Sequence, residues 1–218
     1  MKFPCTGVIL AGGMNTRFSG QAKAFLSVGG KRIIDHLYGI FNALFEDIIL
    51  VSNAPHKYLE WDINIVTDLF PVRSSLTGIH AGLFYTLNPF AFFAACDTPF
   101  LKRELVETII NSIEQRVDIV IPETPAGFEP LCAVYSKECL KSIEQHIIQK
   151  KFKIQQLFQK QRVKKIPEKI LREKDPDLIS FFNINTPQDQ EKAEKMLKIT
   201  NTVVQPQRHQ DTKIKYNS

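Results

Sequence analysis

The chain has 218 residues, of which 44% are hydrophobic and 23% are charged. This length and composition are typical of one globular α/β domain with a sizeable core, and the chain is too short for two ordinary domains. No run of about 18 uncharged apolar residues occurs, so no membrane span is predicted. The formal net charge of +5 comes from the segment 137–175, which holds twelve Lys and Arg against five Asp and Glu.

The cysteines predict a reducing compartment. None of Cys5, Cys96, Cys132 and Cys139 forms a C-x-x-C pair, so neither a zinc ribbon nor a redox motif is expected. Cys96 and Cys132 lie in apolar runs, which favours buried free thiols. The N-terminus also lacks the long apolar segment of a signal peptide. The predicted location is therefore cytoplasmic.

The first half of the chain alternates strand-length apolar runs with helical patterns. The predicted strands are Thr6–Ala11, Asp47–Ser52, Asn64–Thr67 and Phe90–Cys96. The first predicted helix is marked by the helical spacing of Ile33, Ile34, Leu37, Phe41 and Leu44, and the second covers Leu76–Leu87. This βαβ rhythm predicts the α/β class: three α/β/α layers with a mostly parallel, twisted sheet.

The second half is less regular. Apolar residues at helical spacing from Leu105 to Ile113 predict a helix, and two further strands are predicted at Val117–Ile121 and Leu131–Tyr135. Helices are predicted at Lys137–Ile148 and at Thr186–Leu197, where Thr186-Pro187 is a good N-cap and N1 pair. We expect a single domain over residues 1–199, followed by a polar, aperiodic and disordered tail at 200–218.

The first candidate site is the loop after the first strand, because ligands of open α/β sheets bind at the carboxyl ends of the strands. Gly12 and Gly13 let backbone N–H groups come close to a phosphate. Arg17 and Lys23 can neutralise the phosphate charge. The loop is neither a P-loop nor a G-x-G-x-x-G fingerprint. A tight turn with two surface cations is the competing interpretation.

Three more strand ends carry polar residues. Asn53 and Asp68 follow the second and third strands, and Asp97 follows the apolar fourth strand. An acid at the end of an apolar strand is costly to desolvate without a partner. Mg²⁺ is a natural partner, because it binds one or two carboxylates together with substrate phosphate oxygens. Asp97 as a helix N-cap, and Asn53 and Asp68 as turn residues, are the alternatives.

Other catalytic classes have little support. No histidine has a paired carboxylate nearby in sequence, and no G-x-S-x-G or H-E-x-x-H pattern occurs, which argues against the commonest hydrolases. The basic segment 137–175 lacks a helix-turn-helix, zinc-finger or RRM signature. A solvated lysine-rich face is the simpler interpretation of that segment, and no nucleic-acid partner is predicted.

Several motifs together resemble one family. Leu10-Ala11-Gly12-Gly13 with Arg17 and Lys23 is similar to the signature loop of the nucleotidyltransferase superfamily. The more specific motifs are Thr67-Asp68 before Leu76–Ile79, Ala95–Pro99, Glu129-Pro130-Leu131 and Asn183-Ile184-Asn185-Thr186-Pro187. With them the chain most resembles the molybdenum cofactor guanylyltransferases, over about Thr6 to Leu197. It departs from the family pattern at two places. Ala22 stands where the family often has an acidic residue, and Ser74-Ser75 stands where the family often has Gly-Pro.

The resemblance implies a Rossmann-like nucleotidyltransferase fold and a reaction. The terminal phosphate of molybdopterin, or of the molybdenum cofactor, would attack the α-phosphate of Mg-GTP to give the guanine dinucleotide cofactor and pyrophosphate. Molybdenum-insertion proteins or client molybdoenzymes would be further partners.

The implied residue roles are as follows. Gly12, Gly13, Arg17 and Lys23 would hold phosphates, and Leu10 and Ala11 would lie against the nucleotide. Asp97 would hold Mg²⁺, Asn53 and Asp68 would contact the nucleoside, and Asn183 and Asn185 would bind the acceptor. Arg17, Lys23 and Asp97 would be the catalytic residues.

Four alternatives stay open at this point. The nearest is a cytidylyltransferase acting on the same cofactor. A nucleotidyltransferase for isoprenoid, sugar or lactate phosphates is more distant. A nucleotide-binding protein that delivers the cofactor, and a nucleic-acid module that uses the basic segment, belong to other classes.

Overall fold

The computed structural model describes residues 2–12, 18 and 21–203. Its strands are β1 (Thr6–Leu10), β2 (Ser27–Val28), β3 (Lys31–Arg32), β4 (Ile48–Val51), β5 (Asn64–Val66), β6 (Phe90–Ala95), β7 (Ile119–Thr124), β8 (Gly127–Phe128), β9 (Cys132–Ser136) and β10 (Val163–Pro167). Its α-helices are α1 (Ile33–Leu44), α2 (Ser75–Tyr85), α3 (Arg103–Asn111), α4 (Leu140–Ile148), α5 (Glu168–Lys174) and α6 (Pro187–Val203). Short 3₁₀ helices cover Lys23–Phe25, Pro55–Tyr58, Lys137–Cys139, Ile154–Lys160 and Ile179–Phe181.

The strands form a mostly parallel sheet. Within the described residues, the order is β10-β7-β9-β6-β1-β4-β5, with β8 also paired to β7, and β2 and β3 make a separate hairpin. β1 pairs in parallel with β4 and β6, β4 with β5, and β7 with β10. β9 runs antiparallel between β6 and β7. The α/β class predicted from the alternating pattern is confirmed.

Helices cover both faces of this sheet, as a three-layer architecture requires. Successive residues of a strand point to opposite faces, so Ile9 enters one core while Val8 and Leu10 enter the other. The Ile9 core is packed by α1, α3, α5 and α6, and the opposite core by α2 and α4. Because both faces are buried, the central strands are continuous apolar runs.

The C-terminal helix is longer than predicted. It begins at Pro187, and Asp189 N donates to Thr186 Oγ1 at 3.2 Å, which fits the predicted N-cap. It continues to Val203, so the first four residues of the segment expected to be a disordered tail are helical. Residues 204–218 lie outside the described part of the chain.

Two further expectations concern the cysteines and the membrane. All four cysteines are free and buried, as predicted. In the described ranges, no helix has the length and apolar character that crossing a membrane needs.

Gly82 allows α2 to lie close to the sheet. A Cβ at this position would meet the Phe93 ring at 2.6 Å and Val8 Cγ1 at 2.7 Å, both buried side chains. We therefore expect Gly82→Ala to lower the free energy of unfolding by about 1–2 kcal/mol through overpacking. Gly39→Ala, on the exposed side of α1 with Lys31 Nζ at 4.0 Å as its nearest neighbour, is the matched control. It should raise stability by up to about 1 kcal/mol, since Ala is the better helix former. Urea unfolding measures both, and equal stabilisation by the two changes would contradict the close approach.

Candidate active site

A cavity of about 490 Å³ opens at the carboxyl ends of β1, β4, β5 and β6. Parallel strands end at the same edge of a sheet, so the loops that follow them converge there. The predicted residues that line this cavity are Leu10, Ala11, Gly12, Lys23, Asn53, Asp68 and Asp97. Gly13 and Arg17 lie outside the described residues. Positions up to 87 residues apart in the chain therefore share one cavity.

Lys23 and Asp97 form the polar centre of the cavity. Lys23 Nζ lies 3.0 Å from Asp97 Oδ2, and both side chains are 21% exposed. Asp97 is held by the end of β6, where Cys96 N donates to Leu10 O and Thr98 Oγ1 donates to Ala95 O. Lys23 opens the short helix Lys23–Phe25, whose Ala24 is buried in the core. The end of β6 and the short helix Lys23–Phe25 thus place a charged pair in the cavity.

Asn185 joins this pair from the far end of the chain. Lys23 Nζ donates to Asn185 Oδ1 at 2.6 Å. The backbone N–H of Ile184, a fully buried residue, donates to Asp97 O at 2.9 Å. Asp189 Oδ2 accepts from Asn185 N at 3.0 Å. Three contacts therefore fix Asn185 beside Asp97.

Asn183 lies on the same segment but in a different environment. Its side-chain Nδ2 donates to Phe181 O at 3.2 Å, and the residue is exposed. It lies two residues before Asn185 in the chain, and its side chain is bonded to the backbone of its own segment.

Asn53 and Asp68 form a second polar pair. Asn53 Nδ2 donates to Asp68 Oδ2 at 2.8 Å, and Asp68 N donates to Asn53 Oδ1 at 3.2 Å. The pair is brought together because β4 and β5 are adjacent and parallel, and Ser52 N continues their ladder by donating to Val66 O. Both residues line the cavity, with Asn53 exposed and Asp68 half-buried. The two residues thus act as one hydrogen-bonded unit.

Several residues of the cavity wall were not predicted as site residues from the sequence. They include Lys57, Tyr58, Arg73, Ser74 and Gly78. Ser74 caps α2, with Ser74 Oγ accepting from Thr77 N while Thr77 Oγ1 accepts from Ser74 N. A Ser three residues before a Thr at the start of an apolar helix could have indicated this capping box. The N-terminus of α2 accordingly faces the cavity, and helix N-termini favour anions.

Two reactive groups in the wall are neutral. Burial, assisted by the neighbouring Asp97 carboxylate, raises the pKa of the Cys96 thiol to about 12. Burial also raises the pKa of the Tyr58 hydroxyl. Neither side chain is ionised at neutral pH, so neither offers an anionic nucleophile or base. No histidine of the described residues lines the cavity.

The fold and the site define a class of protein. A mostly parallel sheet whose strand ends carry a glycine loop, a lysine and an acid at one cavity is the arrangement of a nucleotidyltransferase. The family model of the MobA-like NTP transferase domain matches residues 7–165. A molybdenum cofactor guanylyltransferase of Desulfosudis oleivorans is 49% identical over 193 residues, which cover 88% of this chain and 96% of that protein. The chain belongs to the molybdenum cofactor guanylyltransferases, and it is an enzyme of the nucleotidyltransferase class.

Solved structures agree with this assignment. Molybdopterin-guanine dinucleotide biosynthesis protein A of Archaeoglobus fulgidus has a TM-score of 0.79 and 29% identity, covering 89% of this chain and 99% of that one. The 2-C-methyl-D-erythritol 4-phosphate cytidylyltransferase of Thermus thermophilus has a TM-score of 0.65 and 18% identity, covering 91% and 100%. The second likeness concerns the fold alone. The Rossmann-like nucleotidyltransferase fold predicted from the resemblance is confirmed.

Proposed function

We propose that this enzyme transfers GMP from GTP to the terminal phosphate of molybdopterin carrying molybdenum, forming the guanine dinucleotide cofactor. The observation that supports it best is the contact of Lys23 with both Asp97 and Asn185. This contact joins a phosphate-binding candidate, a metal-binding candidate and an acceptor-binding candidate at one point. A donor nucleotide and an acceptor phosphate bound there would be adjacent.

The chemistry needs no protein base. A phosphate monoester is mostly dianionic at neutral pH, so an oxygen of the acceptor phosphate can attack the α-phosphorus directly. The new bond is between that oxygen and the α-phosphorus, and the bond to the bridging oxygen of the β-phosphate breaks, releasing pyrophosphate. Alignment and charge stabilisation supply the acceleration. The neutral state of Cys96 and Tyr58 fits this mechanism.

Each pair of residues has a separate task in this proposal. Lys23 would neutralise charge that develops on the phosphates, together with the backbone of the loop at Gly12. Asn185 would orient the acceptor phosphate, with Asn183 beside it on the same segment. Asn53 and Asp68 would bind the nucleoside. The reacting groups would then meet beside Asp97.

Asp97 is the residue that would hold Mg²⁺. The described residues contain no group of three or more His, Cys, Asp or Glu side chains suited to a metal. Mg²⁺ does not need such a group, because it binds through one or two carboxylates and substrate phosphate oxygens. A single partly exposed carboxylate beside the phosphate-binding loop meets that requirement. Bound there, the ion would add positive charge at the phosphate oxygens.

A pyrophosphate-release assay tests the proposed reaction. Molybdopterin, bare or loaded with molybdenum, is offered together with each of the four NTPs and Mg²⁺. We expect rapid release only with GTP and with the acceptor present. Preference for CTP would favour the cytidylyltransferase alternative, and release that does not depend on molybdopterin would contradict the acceptor.

The choice of base is expected to depend on Asp68. Guanine presents two adjacent donors, N1–H and the 2-amino group, and one carboxylate can accept both. Cytosine presents one amino donor beside acceptors that a carboxylate repels. We expect Asp68→Ala to lower kcat/KM for GTP roughly 10- to 100-fold, which corresponds to the free energy that hydrogen bonds to a charged group contribute. The ratio of kcat/KM for GTP to that for CTP should fall as well.

The control for this variant is Asp62→Ala, an exposed acid on the β4–β5 connection that does not line the cavity. Steady-state rates with GTP and CTP should be unchanged in it. A full preference for GTP in Asp68→Ala would show that the base is read by other groups. The cytoplasmic location, and contacts with molybdenum-insertion proteins or client molybdoenzymes, stay predictions.

A further inference from the structure

Two segments that are distant in the chain run side by side next to Asp97. The first is the loop 97–102, which follows β6, and the second is the segment 175–185, between α5 and α6. Ile184 N donates to Asp97 O at 2.9 Å, and Ser180 Oγ donates to Phe100 O at 3.3 Å. The rings of Phe100 and Phe182 lie 5.9 Å apart. The two segments are thus joined at several successive points.

Asp175 joins the two segments 97–102 and 175–185 at the end away from Asp97, and the paired segments are called the junction below. Its side chain is completely buried. Oδ2 accepts from Ser180 N at 2.7 Å, and Oδ1 lies 2.8 Å from Lys102 Nζ in an ion pair without accepting a hydrogen bond. Lys102 N in turn donates to Ser180 Oγ at 3.1 Å. One carboxylate therefore holds both segments, 175–185 through Ser180 and 97–102 through Lys102.

Stability alone is a weak reason for this arrangement. Burying a carboxylate is costly, and a buried ion pair contributes less than an apolar pair of the same volume in many proteins. The segment also turns through Leu178, which adopts the left-handed backbone conformation at φ +54° that a β-carbon disfavours. A costly carboxylate and a strained turn together define where Ser180 lies. Ser180 is five residues before Asn185.

We infer that Asp175 is a positioning residue for the acceptor phosphate. By tying Ser180 to the loop of Asp97, it sets the place of Asn183 and Asn185 relative to Asp97 and Lys23. The inference rests on the proposed function, in which those asparagines bind the acceptor. The proposed nucleoside-binding pair, Asn53 and Asp68, is held by β4 and β5 rather than by this junction. Removing the Asp175 carboxylate should therefore impair use of the acceptor molybdopterin and leave KM for GTP unchanged.

The test compares Asp175→Ala and Asp175→Asn with a matched control, Asp118→Asn. Asp118 is also a buried carboxylate, and it likewise accepts from a backbone N–H and pairs with a cation, here both of Arg162. It precedes β7, at the end of the sheet away from the cavity. All three variants should lower the melting temperature. Steady-state kinetics then give KM for molybdopterin and for GTP separately.

We expect Asp175→Ala to raise KM for molybdopterin or lower kcat by roughly 10- to 100-fold, as a displacement of about 1 Å can do, with KM for GTP within about twofold of wild type. Asp175→Asn keeps an oxygen that can accept from Ser180 N, so its kinetic defect should be smaller than that of Asp175→Ala. In Asp175→Asn the ammonium of Lys102 has lost its carboxylate partner. Adding Lys102→Met removes that ammonium, so the double variant should come closer to wild-type kinetics than Asp175→Asn alone. Asp118→Asn should leave both KM values unchanged.

Three outcomes overturn the inference: equal changes in both KM values, no change in either KM value or in kcat, or the same acceptor defect in Asp118→Asn. Should Asp175→Ala fail to fold, the same comparison of KM for molybdopterin with KM for GTP is made on Asp175→Asn and Ser180→Ala. Hydrogen exchange at Ile184 N, which donates to Asp97 O, is a measurement that needs no molybdopterin. The exchange rate should rise only in the Asp175 and Ser180 variants. Absence of turnover in the wild-type enzyme would instead refute the proposed function, while faster exchange at Ile184 would still support the positioning role.

Discussion

Asp97→Asn is expected to lower GMP transfer by roughly 10³-fold or more while the protein stays folded. The amide has almost the shape of the carboxylate, and the structural contacts at this position use the backbone, as when Ile184 N donates to Asp97 O. What is lost is the negative charge. That charge pairs with Lys23 at 3.0 Å and is suited to binding Mg²⁺. Pyrophosphate release measures the loss.

The same variant allows a check on the metal. If Asp97 anchors Mg²⁺, the residual rate of Asp97→Asn should need a higher Mg²⁺ concentration for half-saturation than the wild-type rate does. Asp62→Asn, which removes an exposed carboxylate outside the cavity, should behave as wild type in both measurements. A folded Asp97→Asn enzyme that turns over normally would remove Asp97 from the catalytic site.

Lys23→Met should lower kcat/KM for GTP by roughly 10²- to 10³-fold, as loss of a group that meets charge developing in the transition state does. Met keeps most of the side-chain volume and removes the ammonium, whose Nζ contacts Asp97 and Asn185. Lys23→Arg should rescue poorly, because a planar guanidinium does not replace a compact ammonium at a site shared by two partners. Lys31→Ala, an exposed lysine on β3, is the control.

A double-mutant cycle extends this test. The contact of 2.6 Å between Lys23 Nζ and Asn185 Oδ1 predicts that Lys23→Met and Asn185→Ala are not additive. Their combined loss in kcat/KM should be clearly smaller than the product of the single losses. Additive losses would mean that the two residues serve the reaction separately, and wild-type kcat/KM in Lys23→Met would make Lys23 a structural cation.

Part of the candidate site was accessible from the sequence because it depends on local patterns. Gly12, Asn53, Asp68 and Asp97 each follow an apolar run of strand length, and parallel strands place such residues at one edge. Lys23 was predicted as a cation that neutralises a phosphate bound at the glycine loop, and the signature-loop motif supported it. Their meeting in one cavity follows the rule of strand ends, which needs no knowledge of strand order.

The missed features depend on contacts between distant parts of the chain. β10 and the short helix α5 have a basic, weakly periodic sequence, and β10 becomes a strand because its backbone pairs with β7. The direction of β9, antiparallel between β6 and β7, is set by its neighbours rather than by its own residues. Asp175 likewise looks like an ordinary residue at the end of a lysine-rich helix, and only packing buries it.

The sequence by itself determined the α/β class, the places where strands end and the residue types at those ends, because hydrophobic periodicity and turn chemistry act over a few neighbouring residues. The tertiary structure alone decided which of these residues touch. Lys23 and Asn185 are 162 positions apart, and their contact exists because Ile184 is buried in the core beside the loop of Asp97. The free energy that holds them together comes from burial and pairing across the whole domain, which no local pattern records.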